Sequence, residues 1–224
     1  MRNLLILSAA VAGVAVAYAA MRESSLFPGA MPGEGAPYSP PDLLGMIADS
    51  LGLVGVVRIS AMKTVTADAL SNANVRAMLA VIRKGEGTAD PAGYQRIFGG
   101  ATFASFADHP RLVKCFTLKS GGRLCSSAAG AYQFLSTSWD ETATAMRLTS
   151  FSPAAQDLAA VGRMAARGAL ADVLAGRLSL AMKKLSYEWA SLPGSPYGQP
   201  VISAATAQSV FLAAGGRIDG VTVV

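Results

Sequence analysis

Four apolar residues, Val75, Met78, Leu79 and Ile82, recur at helical spacing immediately before the hexapeptide Arg83-Lys84-Gly85-Glu86-Gly87-Thr88. That spacing predicts an amphipathic helix with one buried stripe. On a continued helical path Glu86 falls about three turns beyond Val75 and only about 20° away from it around the axis. Its carboxyl therefore points along the apolar face, while Arg83 and Lys84 point largely elsewhere. A poorly solvated carboxyl has a raised pKa, as a general acid working near neutral pH requires. Gly85 and Gly87 leave room for another segment to approach. The plainer alternative is a solvated helix-terminal glutamate followed by a glycine stop, and the hexapeptide alone is compatible with both.

The 224 residues allow one domain of about 150 residues with further segments in front of it. Residues 4–21 form an uninterrupted apolar run, rich in alanine and flanked by Arg2 and Arg22. The run is at the lower edge of the length needed to span a bilayer. Three readings compete: a cleaved signal peptide ending near Ala17 or Ala19, a permanent anchor, and a weakly hydrophobic anchor that inserts and later escapes. Each of them places the rest of the chain outside the cytoplasm. Residues 22–41 carry prolines and glycines throughout and form a linker. A second apolar stretch, residues 43–59, keeps helical spacing at Leu43, Ile47, Leu51 and Val54. Asp49 and three glycines argue against a second span, so packing on the domain or on an interface is expected. The expected division is a signal-anchor or transmembrane segment at 1–21, a linker with an amphipathic helix at 22–72, and the folded domain at 73–224.

Within that domain, helices are expected over residues 127–146, with Tyr132, Leu135, Trp139 and Ala143 on one face, and from Ser152-Pro153 toward Ala166. Ser179 is expected to cap a helix that turns Met182, Leu185 and Trp189 inward. Ser203 opens another, with Ala207, Val210, Phe211 and Ala214 buried and Gly215 at its end. Residues 93–106 and 114–125 mix aromatic and β-branched residues with glycines and are read as short strands or hairpins. The fold class is α+β: a mainly helical domain with a small β lobe, preceded by an N-terminal hydrophobic helix.

Cys115 and Cys125 flank the turn candidate Gly121-Gly122 and could face each other across a hairpin. In an oxidising compartment a disulfide there would contribute about 2–3 kcal/mol. A redox or nucleophilic pair is the alternative, and nothing in the neighbouring sequence would lower a thiol pKa. The single histidine, His109, excludes a two-histidine metal site and weakens any serine–histidine proposal. No cofactor and no metal are expected. The net charge of +5 suits an anionic cell envelope. Lysines and arginines do not cluster with interleaved aromatics, which argues against nucleic acid.

An ordered series of motifs runs through the domain. Gly85-Glu86-Gly87-Thr88 is followed by Gly93-Tyr94, Gly99-Gly100 and Phe106-Ala107-Asp108-His109-Pro110-Arg111. Next come Gly130-Ala131-Tyr132-Gln133, Trp139-Asp140, Phe151-Ser152-Pro153, Gln156-Asp157 and Arg167-Gly168-Ala169-Leu170. Trp189-Ala190-Ser191-Leu192-Pro193-Gly194, Tyr197-Gly198-Gln199 and Ala214-Gly215-Gly216 close it. Over roughly residues 73–218 the series resembles the lambda-type bacteriophage endolysins, a family of peptidoglycan lytic transglycosylases. The resemblance implies a lysozyme-like fold and attack on the β-1,4 bond between N-acetylmuramic acid and N-acetylglucosamine. It maps the family's catalytic glutamate onto Glu86 and implies that Tyr132, Gln133, Tyr197 and Gln199 line the sugar cleft. Trp139 and Trp189 are read as core aromatics. Gly85 replaces the family's serine, and Ala131 stands where a basic residue is usual.

The implied role is phage-induced host lysis by a monomer that acts on glycan strands, tied to the inner membrane through residues 4–21 and facing the periplasm, or released there. Two alternatives stand beside it. One is a hydrolytic muramidase of the same fold, which would need a second carboxylate across the cleft. The other is a virion component that binds or opens the wall during entry.

Overall fold

The structure is a computed structural model that describes residues 53–117 and 122–219. The apolar run at 4–21, the linker and most of the second apolar stretch lie outside the described residues. Among those described, no helix is long and apolar enough to cross a membrane. Helix α1 (Leu53–Lys63) lies ahead of the domain start expected at residue 73. It packs on the later helices α3 (Ser136–Met146) and α4 (Pro153–Ala166) and buries Met62 completely.

After a 3-10 turn (Ala67–Ser71), α2 runs from Ala73 to Gly85. The Asn72 side chain caps it, accepting from the amides of Asn74 and Val75. Val75, Met78, Leu79 and Ile82 are buried, together with Ala77 and Val81. This stripe packs on α4, α5 (Leu170–Leu174) and α7 (Ala204–Ala213). The chain leaving α7 comes so close that a Cβ at Gly216 would sit 2.8 Å from Ala77 Cβ and 2.4 Å from the Phe211 ring.

The β element is one antiparallel hairpin, β1 (Lys114–Thr117) with β2 (Arg123–Ser126). Cys115 lies opposite Cys125 in its register, and the two form a disulfide. Residues 93–106 do not form a second hairpin. They make a 3-10 turn (Gly93–Gln95) and isolated bridges, Arg96 to Thr102 and Ile97 to Ala129.

The helix expected from residue 127 begins only at Ser136. Ala129 pairs with both Ile97 and Phe134, while Gly130 (φ 78°) and Gln133 (φ 47°) turn the backbone left-handed between them. Left-handed residues cannot continue a right-handed helix. Trp139 remains buried, edge-on to Phe134 and Phe151. Helix α4 starts as its sequence predicts, with the Ser152 hydroxyl accepting from the Ala155 amide and Pro153 in the first turn. Helix α6 (Leu178–Leu185) begins one residue before Ser179, which is exposed and caps nothing. Met182, Leu185 and Trp189 are buried as expected. In α7, Ser203 caps and Ala207 and Phe211 are buried, but Val210 is half-buried and Ala214 exposed. Ala213 is exposed as well, and the chain turns at Gly215 (φ 86°).

Candidate active site

Helix α2 ends in a paired-bond C-terminal motif. The Thr88 amide donates to the Arg83 carbonyl at 2.9 Å and the Gly87 amide to the Lys84 carbonyl at 3.4 Å. Gly87 takes the left-handed conformation (φ 69°) that this closure needs. Glu86 is the last right-handed residue, so its side chain leaves the end of the apolar stripe.

Among the described residues, the carboxyl meets a polar partner in Ser191. Ser191 Oγ donates to Glu86 Oε1 at 2.7 Å, from the segment that follows α6. That segment passes so close that a Cβ at Gly85 would lie 2.5 Å from Ser191 Oγ, which explains the glycine before Glu86. The residue keeps partial solvent access. Loss of hydration around the carboxyl raises its pKa to about 7, and the Ser191 hydroxyl only partly opposes the rise. The Asp90 carboxyl moves the other way, held below the usual range by the Arg96 side chain at 2.7 Å.

The turn beyond Glu86 is fastened on several sides. Thr88 is fully buried and its hydroxyl donates to the Ala131 carbonyl. Arg83 donates through Nε and Nη2 to the Thr88 carbonyl and through Nη2 to the Asp90 carbonyl at 3.1 Å. Its guanidinium lies 4.6 Å from the centre of the Tyr94 ring. Tyr94 and Tyr132 both donate to Asp157 Oδ1, at 2.8 and 2.6 Å. The neighbouring Gln156, fully buried, accepts from the Ala131 amide and donates to the carbonyls of Tyr94 and Phe151. A Cβ at Gly130 would strike Gln156 Oε1 at 2.3 Å. Two adjacent residues of α4 thus hold both loops beside Glu86.

Of the residues the sequence nominated for sugar contact, Tyr132 turns inward. It is 2% exposed and its hydroxyl is spent on Asp157. Its burial follows from the broken helix, which folds the loop around the ring. Gln133 is half-buried, and its amide donates to the carbonyls of Gly130 and Arg96. Tyr197 and Gln199 share a half-buried loop, where the Tyr197 hydroxyl donates to the Tyr187 carbonyl. Trp189 Nε1 donates to the Tyr132 carbonyl at 3.2 Å, so the Trp189–Ser191 segment touches both the Tyr132 loop and Glu86. His109 is buried against Phe151 and bonded to the Phe134 carbonyl; burial lowers its pKa. Cys115 and Cys125 belong to the hairpin disulfide. The Ser191 contact has no local signal in the sequence, because the serine stands 105 positions from Glu86.

The fold and site together define a lysozyme-like protein with one carboxyl tuned toward neutrality. The family model described as Endolysin matches residues 76–218. The Escherichia phage lambda endolysin is 40% identical over 131 residues, covering 58% of this chain and 80% of the relative. The Escherichia phage P2 endolysin is 36% identical over 157 residues, covering 64% and 93%. A structure of bacteriophage lambda lysozyme complexed with a chitohexasaccharide superposes with a TM-score of 0.61 at 35% identity, covering 66% of this chain and 97% of that one. A second lambda lysozyme structure gives 0.55. The chain belongs to the endolysin family.

Proposed function

We propose that this endolysin degrades peptidoglycan as a lytic transglycosylase, with Glu86 serving as acid and then as base. The observation that carries this reading is the Glu86 carboxyl: raised to about 7, it holds a proton near neutral pH and can also release it. With Oε1 accepting from Ser191, the proton falls to Oε2. Protonated Glu86 delivers it to the glycosidic oxygen, and the C1–O bond to the departing N-acetylglucosamine breaks. The substrate's own C6 hydroxyl then attacks C1 and returns its proton to the Glu86 carboxylate. A 1,6-anhydro ring closes, no water is consumed, and the enzyme ends as it began. The intramolecular nucleophile supplies a high effective molarity.

Glycosidases that use water need a second carboxyl for the water or for a covalent intermediate. Asp90 is tied to Arg96, Asp108 and Asp140 to Arg111, and Asp157 to two tyrosine hydroxyls. These commitments favour the single-carboxylate route. The chitohexasaccharide complex of the lambda lysozyme supports a β-1,4-linked amino-sugar substrate here as well. Gln133, Tyr197 and Gln199 are assigned to sugar contact, and Tyr132 to supporting them from the core. Residues 4–21 would hold the chain at the host inner membrane on the periplasmic side until lysis.

Fragments released from purified peptidoglycan by the full chain and by Glu86→Gln, read by mass spectrometry, test the proposal. Anhydro-muramyl ends from the native chain and none from the variant are expected. Reducing muramyl ends would make water the acceptor and overturn the transglycosylase assignment. Unchanged release by Glu86→Gln would overturn the role of Glu86.

A further inference from the structure

Arg83 precedes Glu86 by three residues, and both take right-handed backbone at the end of α2. Side chains at that spacing lie about 5–6 Å apart at Cβ. A free arginine there would pair with the carboxylate, favour its ionised form and disable it as an acid. In the structure Arg83 is bound elsewhere. Its donors point to the carbonyls of Thr88 and Asp90, and its flat face lies over Tyr94. Tyr94 is itself fixed by its hydroxyl on Asp157, which also holds Tyr132, and by its carbonyl on Gln156.

We infer that Tyr94 and Asp157 form a cation trap that keeps the Arg83 guanidinium away from Glu86, making Tyr94 a positioning residue for the acid. The groups around Glu86 fit this assignment. Ser191 faces it from the segment after α6, and Arg83 and exposed Lys84 are the charges near it on its own helix. Across the turn, the nearby acid Asp90 is matched by Arg96, and Asp157 is turned to the tyrosines. Burial and the hydrogen bond to Asp157 push Tyr94 up to about 12, so the ring that faces Arg83 stays neutral across the working range. Ring stacking and carbonyl bonding hold the guanidinium directly, while the carboxylate of Asp157 is turned to the hydroxyls of Tyr94 and Tyr132.

The inference rests on Glu86 as the acid, and its test separates the two. The readout is the pH dependence of wall cleavage by the full chain, specifically the alkaline limb where the acid loses its proton. That limb reports a pKa and does not depend on how much enzyme is active. Tyr94→Leu removes the ring and should move the limb down by about one pH unit, roughly a tenfold loss of rate at a fixed pH on that limb. Tyr94→Phe keeps the ring and should move it less. Arg83→Gln should leave the limb in place, and Tyr94→Leu added to Arg83→Gln should then shift nothing. An unmoved limb in Tyr94→Leu, or an equal shift with and without Arg83, would overturn the trap while Glu86→Gln remains inactive. Activity surviving in Glu86→Gln would instead remove the reading on which the trap depends.

Discussion

Glu86 combines two demands that conflict in any single residue: it must be dry enough to keep a proton and open enough to meet a substrate. The first demand has a cost in stability. A carboxyl with a folded pKa near 7 and an ordinary value near 4.5 binds more protons folded than unfolded between those values. Stability therefore falls as pH rises through that window, and the full cost is present above about 7. Glu86→Gln removes the charge while keeping the shape. It should raise the melting temperature at pH 8, and the gain should vanish near pH 4, as followed by calorimetry. A gain independent of pH would mean that charge is not its source. Ser191 moderates the cost by donating to the ionised form, and it reaches Glu86 because residue 85 has no Cβ.

At the scale of elements, the site depends on how α2 stops. The paired bonds from Thr88 and Gly87 fix the direction in which Glu86 leaves the helix. Gly87 has open space around it, so its requirement is conformational rather than steric. Gly87→Ala should cost about 1–2 kcal/mol through the left-handed backbone alone. It should also lower kcat more than it raises KM, because the acid is re-aimed while the sugar contacts on other segments stay. Equal stability in a denaturant titration would show that the turn tolerates a side chain. The loop of residues 127–135 teaches the same lesson from the other side. Its apolar spacing reads as helix, yet Gly130 and Gln133 reverse the backbone, and Gln156 occupies the space that a Cβ at residue 130 would need.

Across the whole molecule, the segment that brings Trp189 and Ser191 to the site is anchored by buried charge. Glu188 lies 2.7 Å from Arg163 and 2.6 Å from Arg167, both on the α4 side, and Arg163 also meets Glu141 of α3. Burial pushes the Glu188 carboxyl up, but the two arginines outweigh it and hold it below its ordinary value. Arg163→Met strips one partner from a buried charge and should cost about 3–5 kcal/mol at pH 7. Since this carboxylate has a depressed pKa, the stability it contributes is lost as pH falls through the folded value. The deficit of Arg163→Met in thermal melts should therefore narrow in acid, and a constant deficit would assign it to packing.

Much of this organisation is written in local sequence. The buried stripe of α2, the caps at Ser152 and Ser203 and the pairing of Cys115 with Cys125 all follow from spacing and residue type over a few turns. Such features depend on backbone preferences and periodic burial, which neighbouring residues set by themselves. The partners that give the site its chemistry are not local. Ser191 on Glu86, Asp157 under two tyrosines and Gln156 between two loops join residues 105, 63 and 25 positions apart. No periodicity encodes such pairs: they are selected when packed elements bring distant polar groups out of water and leave them one partner each. Spacing and residue type place Glu86 at the end of a helix with a buried stripe, where a dry and a solvated carboxyl are equally compatible with the local sequence. How dry that carboxyl is, which hydroxyl touches it, and where the neighbouring arginine is kept depend on segments that only packing brings together.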